Sequence, residues 1–332
     1  MIANMEGCIL STERLECIDA GSEYCPCYLA QTNECITCSH LQGEDFCDCN
    51  WRGVCIYQEF YWCSNKKKDQ REVIKGKIIE KKMVHEEIMI LKIAVTKTLA
   101  RQLKHPGAYV FLRDWQSPHF FDVPMSIMDA DEQKGEIYIA VQIIGAKTKA
   151  LLACEDKILV KGPYWNGVLG LKNLKSTKKE KVLLVSRGIA LAPSVLALKH
   201  LLKNKNKITF VIDPGKLHAV FIKNYIKDLN IETVELNLKE EKGLKHLEKI
   251  IKTGNYDLVY SAGSDRFHKR VENQINQLDE KVKFVITNNS KMCCGEGVCG
   301  ACSCKTKNGT IVKMCKTQLE VREALEGGKV NG

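Results

Sequence analysis

The chain has no run of the roughly 20 apolar residues that spans a bilayer as a helix. Its longest such run, Gly188 to Leu198, is interrupted by Pro193 and Ser194 and stops at Lys199. The opening residues, MIANMEGCIL, lack a basic segment ahead of an apolar one, so a secretory leader is not expected and the cytoplasm is the expected compartment. No His-Glu-x-x-His, phosphate-binding Gly-rich Lys-Ser/Thr loop or Ser-His-Asp arrangement occurs, and the eight histidines are scattered. Aromatic residues are few, at 7%, and do not interleave with the lysine runs Lys66 to Lys68 and Lys178 to Lys181. The net charge of +10 therefore reads as a solvated basic surface, or as a docking face for an acidic redox protein, and not as a nucleic-acid module.

What the chain has in excess is cysteine. Of seventeen, ten lie between Cys8 and Cys63, six between Cys293 and Cys315, and Cys154 stands alone between the groups. Clustered thiols without a leader, in a reducing compartment, are more often metal ligands than disulfides. At 332 residues and 45% hydrophobic content, the chain is long enough for two or three domains.

Hydrophobic patterning divides it further. Residues 1–65 are rich in cysteine and polar turns and too poor in aliphatic residues for a large core, so a Cys-rich metal-binding segment is expected there. Lys66 to Arg71 reads as a linker. Period-two segments at Val73 to Glu80, His85 to Val95, Tyr109 to Arg113, Glu136 to Ile144 and Lys157 to Lys161 predict a small antiparallel barrel over 72–172. From 178 to 290, strands at 182–186, 208–213, 233–236, 258–261 and 283–287 alternate with helices near 194–203, 216–228, 240–253 and 265–278. That rhythm predicts a doubly wound parallel sheet, whose sites lie at the carboxyl ends of strands.

Residues 291–318 form the second Cys-rich segment. Cys294, Cys299, Cys302 and Cys315 are spaced C-x4-C-x2-C-x12-C, and the first three spacings are those of plant-type [2Fe–2S] ligation. Gly295, Gly297 and Gly300 let the loop bend so that its amides point at the sulfurs. A structural zinc site is the alternative, with Cys293 and Cys304 as adjacent non-ligands.

A barrel, an α/β domain and this cysteine loop, in that order, resemble the electron-transfer subunits of dihydroorotate dehydrogenase within the ferredoxin–NADP reductase superfamily. The resemblance covers roughly residues 72–318. It implies a barrel that binds FAD, an α/β domain that binds NAD(H) and a [2Fe–2S] cluster that passes electrons to a catalytic partner subunit. The family's Arg-Pro-x-Ser flavin motif is similar to Val123-Pro124-Met125-Ser126, and its Gly-x-Gly-Thr to Gly145-Ala146-Lys147-Thr148, with Lys147 supplying a positive charge that Val123 does not. Its Gly-Pro-Leu-Gly-Asn-Gly is matched by Gly162 to Gly167. Its glycine-rich nucleotide loop corresponds to Ser186-Arg187-Gly188-Ile189-Ala190-Leu191-Ala192-Pro193, and its Cys-Gly-Pro to Ala262-Gly263-Ser264. The resemblance thus implies flavin contacts at Pro124, Met125, Ser126, Gly145 and Thr148 and a nucleotide contact at Gly188; Asp213, a strand-end carboxylate, could accept a ribose hydroxyl. Arg187 is expected either to crowd the loop or to grip a phosphate.

The N-terminal thiols Cys25, Cys27, Cys35, Cys38, Cys47, Cys49, Cys55 and Cys63 lie outside the resemblance; Cys8 and Cys17 bring them to ten. Eight thiols meet the requirement of two tetrathiolate centres, and ligation can supply folding free energy that burial cannot. Two [4Fe–4S] clusters, one cluster with spare thiols, or zinc sites all match the count. The expectation is a flavin and iron–sulfur oxidoreductase component in a hetero-oligomer, with a catalytic subunit and a ferredoxin-like protein as partners. The rival is a redox-sensing scaffold on a decayed reductase framework.

Overall fold

The structure, a computed structural model, describes residues 15–217, 220–276 and 281–329. Cys8 and His218 lie outside these. Two compact units part between Asp69 and Gln70.

The N-terminal unit has two short helices, α1 (Tyr28–Gln31) and α2 (Ile56–Trp62), and a 3-10 turn at His40–Gln42; most of the rest is loop. Its core is Cys25, Ala30, Cys38, Leu41, Ile56 and Phe60, with Cys35 and Trp51 packed at the edge. Thiols fill the places that aliphatic side chains occupy in a larger core.

In the second unit, strands β1 (Val73–His85), β2 (Ile88–Ala94), β3 (Tyr109–Asp114), β4 (Val123–Ser126), β5 (Asp129–Asp131), β6 (Glu136–Gln142) and β7 (Lys157–Tyr164) form one antiparallel sheet in the order β4-β3-β7-β1-β2-β6-β5. Its two edge strands, β4 and β5, are separated in sequence by Ile127 and Met128 alone, both fully buried. Two residues span at most about 7 Å, so the edges must meet and the sheet closes as a barrel. The core follows the period of two: Val110 and Leu112 of β3 point inward, with Leu91, Ile93, Ile137, Ile139, Ile158 and Val160. Tyr109 and Phe111 point to the other face, where they pack on Tyr164 and Met292. Both faces of β3 are thus covered, which is why its sequence reads as one continuous apolar run.

The barrel also contains α3 (Lys97–Gln102) and α4 (Ala146–Ala153), where the sequence pattern suggested strands and turns only. The segment of α4 is rich in the helix formers Ala, Leu and Lys, and its start is fixed by Thr148, whose hydroxyl accepts the amides of Ile144 at 2.9 Å and Gly145 at 3.2 Å.

The second sheet has the order β11-β10-β9-β12-β13-β8, built from β8 (Val168–Leu169), β9 (Lys181–Arg187), β10 (Lys207–Asp213), β11 (Glu232–Glu235), β12 (Leu258–Ala262) and β13 (Lys283–Thr287). Strands β9 to β13 are parallel and β8 is antiparallel to β13. The strand order reverses between β9 and β12, which places the topological switch point at Ser186 to Gly188 and Ala262 to Ser264. Three long helices pack on the sheet: α6 (Leu191–Lys203), α8 (Glu241–Gly254) and α9 (Asp265–Asn276); α5 (Leu171–Ser176) precedes β9. The helix expected over 216–228 is instead a 3-10 turn at Gly215–Leu217 and one short turn, α7 (Lys223–Ile226), with 218–219 outside the described residues. Beyond β13, α10 (Val321–Glu326) follows a small sheet of order β15-β14-β16, from β14 (Ser303–Lys305), β15 (Ile311–Lys313) and β16 (Gly328–Lys329).

His268, on α9 and fully buried, bridges the sheet ends through the hydroxyls of Ser261 at 2.9 Å and Thr287 at 3.1 Å. Burial pushes its pKa from 6.5 down to about 4. The unfolded chain then binds a proton that the native chain does not between those pH values, so stability falls as pH falls through this window. We expect a loss on the order of 3 kcal/mol over that range, read by denaturant unfolding at stepped pH. His268→Gln should flatten this part of the profile; an unchanged slope would remove His268 as its source.

Candidate functional site

The cysteine loop is folded by its glycines. Gly295, Gly297 and Gly300 have φ of +72°, +78° and +74°, and a Cβ at Gly295 would lie 2.4 Å from the Tyr164 ring. A side chain is excluded there both by the backbone and by space. The loop brings the predicted thiols together. Cys315 donates to the sulfurs of Cys294 and Cys302, and Cys294 pairs with Cys299. The amides of Glu296 and Cys315 donate to the sulfurs of Cys294 at 3.3 Å and Cys302 at 3.4 Å. These bonds hold Cys294 down at about 4 and Cys302 at about 7, with the Cys315 thiol the leading cause in each. Cys302 and Cys315 are buried and Cys299 is exposed. Cys293 is exposed on the loop, and Cys304 is held in β14 against Val312.

Behind the loop lies a charged cluster with no counterpart in the sequence reading. Glu296 accepts Tyr164 OH at 2.8 Å and Lys316 Nζ at 3.0 Å, and pairs with Arg71 Nη1 at 3.2 Å. The side chains of Arg71 and Lys316 are 0% exposed. Arg71 is therefore not part of a solvated linker: it stacks on the Tyr164 ring at 4.4 Å and its Nε donates to the Pro163 carbonyl. Burial alone would raise the Glu296 carboxyl, but Lys316 and Arg71 hold it below its ordinary value. Tyr164 OH also reaches the Cys294 carbonyl at 3.4 Å, and its ring stacks on Tyr109 at 5.1 Å. Asn166 and Asn288 fasten the far end of the loop through the Met314 carbonyl at 2.6 and 2.9 Å. The only sequence signal for this cluster was the placement of Glu296 and Lys316 beside cysteines.

Pro124, Met125 and Ser126 lie on edge strand β4, opposite Phe111, Val110 and Tyr109 of β3. Gly145 caps α4, Thr148 stands one turn in, and nothing lies within 4 Å of a Cβ built on Gly145. Lys147 Nζ donates to the Asp122 carbonyl at 2.8 Å, which draws the two motifs together; Arg113 pairs with the Asp122 carboxylate at 3.2 Å. Phe120 is 71% exposed and Trp115 49%, so these rings border the motif face and do not fill the barrel core.

At the switch point, Gly188 adopts φ +61° with open space around it. Ser186 turns inward, its hydroxyl 2.7 Å from that of Ser194. Register sets Arg187 beside Asp213 at the ends of β9 and β10, and they pair at 2.7 Å. Asp213 also accepts the amides of Gly215 at 2.7 Å and Leu238 at 3.1 Å and is 1% exposed. Its expected role as a ribose acceptor is thus replaced: the carboxylate is committed to Arg187 and to two loop amides. Arg187 lies along the strand ends instead of crowding the loop.

In the N-terminal unit the sulfurs of Cys47 and Cys49 are 3.9 Å apart, and the Cys38 amide reaches the Cys35 sulfur at 3.5 Å. Burial pushes the Cys25 thiol up to about 12 and raises Cys35 and Cys38. Among the described residues, no group of three or more His, Cys, Asp or Glu side chains is assembled for a metal ion. Nor is any helix among them long and apolar enough to cross a membrane.

Barrel, α/β sheet and cysteine loop together define an oxidoreductase electron-transfer component of the ferredoxin reductase type. Comparison gives the family: the chain belongs with the electron-transfer subunits of dihydroorotate dehydrogenase B (NAD(+)). It is 31% identical over 206 residues to that subunit of Clostridium acetobutylicum, covering 61% of this chain and 79% of the relative. The Fusobacterium nucleatum subunit is 25% identical over 244 residues, covering 69% and 90%. No family model matches. Among solved structures, an NADH-dependent reduced ferredoxin-NADP oxidoreductase superposes with a TM-score of 0.61 at 19% identity, over 76% of this chain and 91% of the other. The ferredoxin reductase of carbazole 1,9a-dioxygenase gives 0.53 at 11% identity, over 65% and 69%. Both likenesses concern the fold.

The charged cluster is tested by Glu296→Ala, which takes from Arg71 and Lys316 the carboxylate they share. Removing one partner of a buried ion pair costs about 3–5 kcal/mol. Denaturant unfolding should show a loss of that order; a change below about 1 kcal/mol, the range of exposed pairs, would mean that the cluster is not what holds the loop.

Proposed function

We propose that this chain binds FAD on its barrel, holds one [2Fe–2S] cluster on Cys294, Cys299, Cys302 and Cys315, and relays electrons between a reduced donor and a catalytic partner subunit. The observation that carries the reading is Tyr164. Its ring stacks on Tyr109, beside the Pro124 to Ser126 strand, while its hydroxyl bonds to the cysteine loop, so the flavin motif and the thiol set share one aromatic wall.

The residues suit both groups. Four gathered thiols, two of them accepting backbone amides, with the buried cations Arg71 and Lys316 behind them, suit the negative charge of a tetrathiolate cluster. The open space at Gly145 on the N-terminus of α4, with Lys147 beside it, suits a pyrophosphate, and Ser126 supplies a hydroxyl for a flavin edge. When bound, FAD supplies a carrier that accepts two electrons together and releases them singly, and the cluster one that handles a single electron. The chain's own contribution is to fix the spacing, to exclude water with Tyr109, Phe111 and Tyr164, and to offset thiolate charge with Arg71 and Lys316. The N-terminal unit we read as metal-bearing, through iron–sulfur or zinc. The relatives' designation as subunits supports a catalytic partner and a hetero-oligomer.

The α/β site suits NAD(H) less well. Ser186 and Ala190 stand where glycines would admit a pyrophosphate, and Arg187 is spent on Asp213. Each lost amide contact costs about 0.5–1.5 kcal/mol, so two or three lower affinity by roughly one to three orders of magnitude. A ferredoxin-like protein is therefore the better donor. Two outcomes follow. Cys299→Ser should remove the cluster's visible absorption and leave flavin bound; zinc at the four sulfurs of anaerobically prepared protein would overturn the cluster assignment. In stopped-flow mixing, micromolar NADH should bleach the flavin slowly and reduced ferredoxin faster; fast bleaching by NADH that Arg187→Ala abolishes would make the loop a working nucleotide site.

A further inference from the structure

We propose that the N-terminal unit holds two separate iron–sulfur centres, one on Cys17, Cys25, Cys27 and Cys35 around a shared apolar cavity, the other on Cys38, Cys47, Cys49 and Cys55, with Cys63 in neither. The partition rests on reading this unit as metal-bearing, and it changes the ligand set that spacing alone suggests: Cys17 enters and Cys63 leaves.

The first group is defined by the cavity. Its wall contains the four cysteines Cys17, Cys25, Cys27 and Cys35, and apolar side chains including Leu29, Ile36 and Ile56 close it. An apolar lining offers a water molecule few partners, while four sulfurs spread round a hollow suit a polynuclear core better than a single ion, which would need them drawn to one point. The unit's backbone is turned toward these sulfurs: Gly21 donates to Cys25, and Thr37 and Cys38 donate to Cys35. Cys25 stands within electrostatic range of Cys35 and Cys27, and Cys35 within range of Cys27 and of Cys38, its neighbour across the two groups. A neutral thiol is a weak acceptor, so amides gathered on sulfur are better matched to thiolate.

The second group begins where the first ends. Cys38 follows Cys35 by three residues but is absent from the cavity wall; it stands within range of Cys49 and Cys55, and its sulfur accepts the amides of His40 and Leu41. The sulfurs of Cys47 and Cys49 are 3.9 Å apart, Cys49 is within range of Cys55, and Cys49 accepts the Trp51 amide. Cys35-x2-Cys38 thus straddles the two groups, one thiol to each. Cys63 caps the C-terminus of α2, its amide bonded to Glu59 and Tyr61, and is not part of the cavity wall. Among the described residues the core of this unit holds few aliphatic side chains besides its cysteines, chiefly Leu29, Leu41 and Ile56, so ligation is needed to hold it together.

The test uses the full chain, purified without oxygen, with iron, acid-labile sulfide and zinc measured per chain. Cys17→Ser should lose one centre's share of iron and sulfide, Cys47→Ser another, the double variant both, and Cys63→Ser none. Loss of both N-terminal centres in Cys17→Ser, with only one lost in Cys47→Ser, still supports two centres, the first being required for folding. If Cys17→Ser and Cys47→Ser each strip all N-terminal iron, or if Cys63→Ser loses metal and Cys17→Ser does not, the partition is overturned. Zinc without sulfide at these thiols overturns the iron–sulfur assignment. A wild-type chain with no metal beyond one C-terminal cluster instead overturns the underlying reading that the unit bears metal.

Discussion

The interaction on which the rest of the second unit depends is the burial of Glu296 between Arg71 and Lys316 under the Tyr164 hydroxyl. Charges so far from water are tolerated only when they are paired and hydrogen-bonded. That condition ties three distant stretches to one point: the residue that enters the barrel, the end of the last barrel strand, and the cysteine loop. Movement of the loop away from Tyr164 would pull Glu296 from the Tyr164 hydroxyl and from the cations that pair with it. The thiols are positioned by this constraint as much as by their glycines.

The same cluster has an electrostatic consequence. It sets the buried cations Arg71 and Lys316 behind the loop that carries Cys294 and Cys315. The aromatic trio Tyr109, Phe111 and Tyr164 packs between this cluster and the strand of Pro124 to Ser126. Water exclusion and mechanical anchoring thus fall to one group of side chains, built where barrel and loop meet.

The switch point of the parallel sheet follows a different logic. In a nucleotide-binding loop the backbone is bare so that phosphate oxygens can approach amides. Here Ser186 is bonded inward to Ser194 and Arg187 is locked to Asp213, leaving Gly188 as the open position. The sheet is retained as a framework while its ligand-facing edge is partly closed by its own side chains.

Local chemistry made much of this protein legible in its sequence. The period of two and the βα rhythm marked five barrel strands and all five parallel strands, because each side chain's burial alternates with the element's own geometry. The spacing of Cys294, Cys299 and Cys302 with intervening glycines marked the loop, because its curvature is set by neighbouring residues. What remained hidden depended on pairing across long separations. Arg71 and Glu296, 225 residues apart, could not be joined by any local pattern. Asp213 read as a free strand-end carboxylate until parallel register set Arg187 beside it. The strand at Tyr109 to Arg113 was legible, but that its Tyr109 and Phe111 turn outward onto Tyr164 was not. The N-terminal thiols could be counted but not sorted, since sorting them requires the cavity that takes Cys17 and Cys35 and leaves out Cys38 and Cys63. Residue type and spacing determined which chemistries the chain could support; only tertiary structure decided which side chains meet, because a buried charge or thiol finds its partner through space and not along the chain.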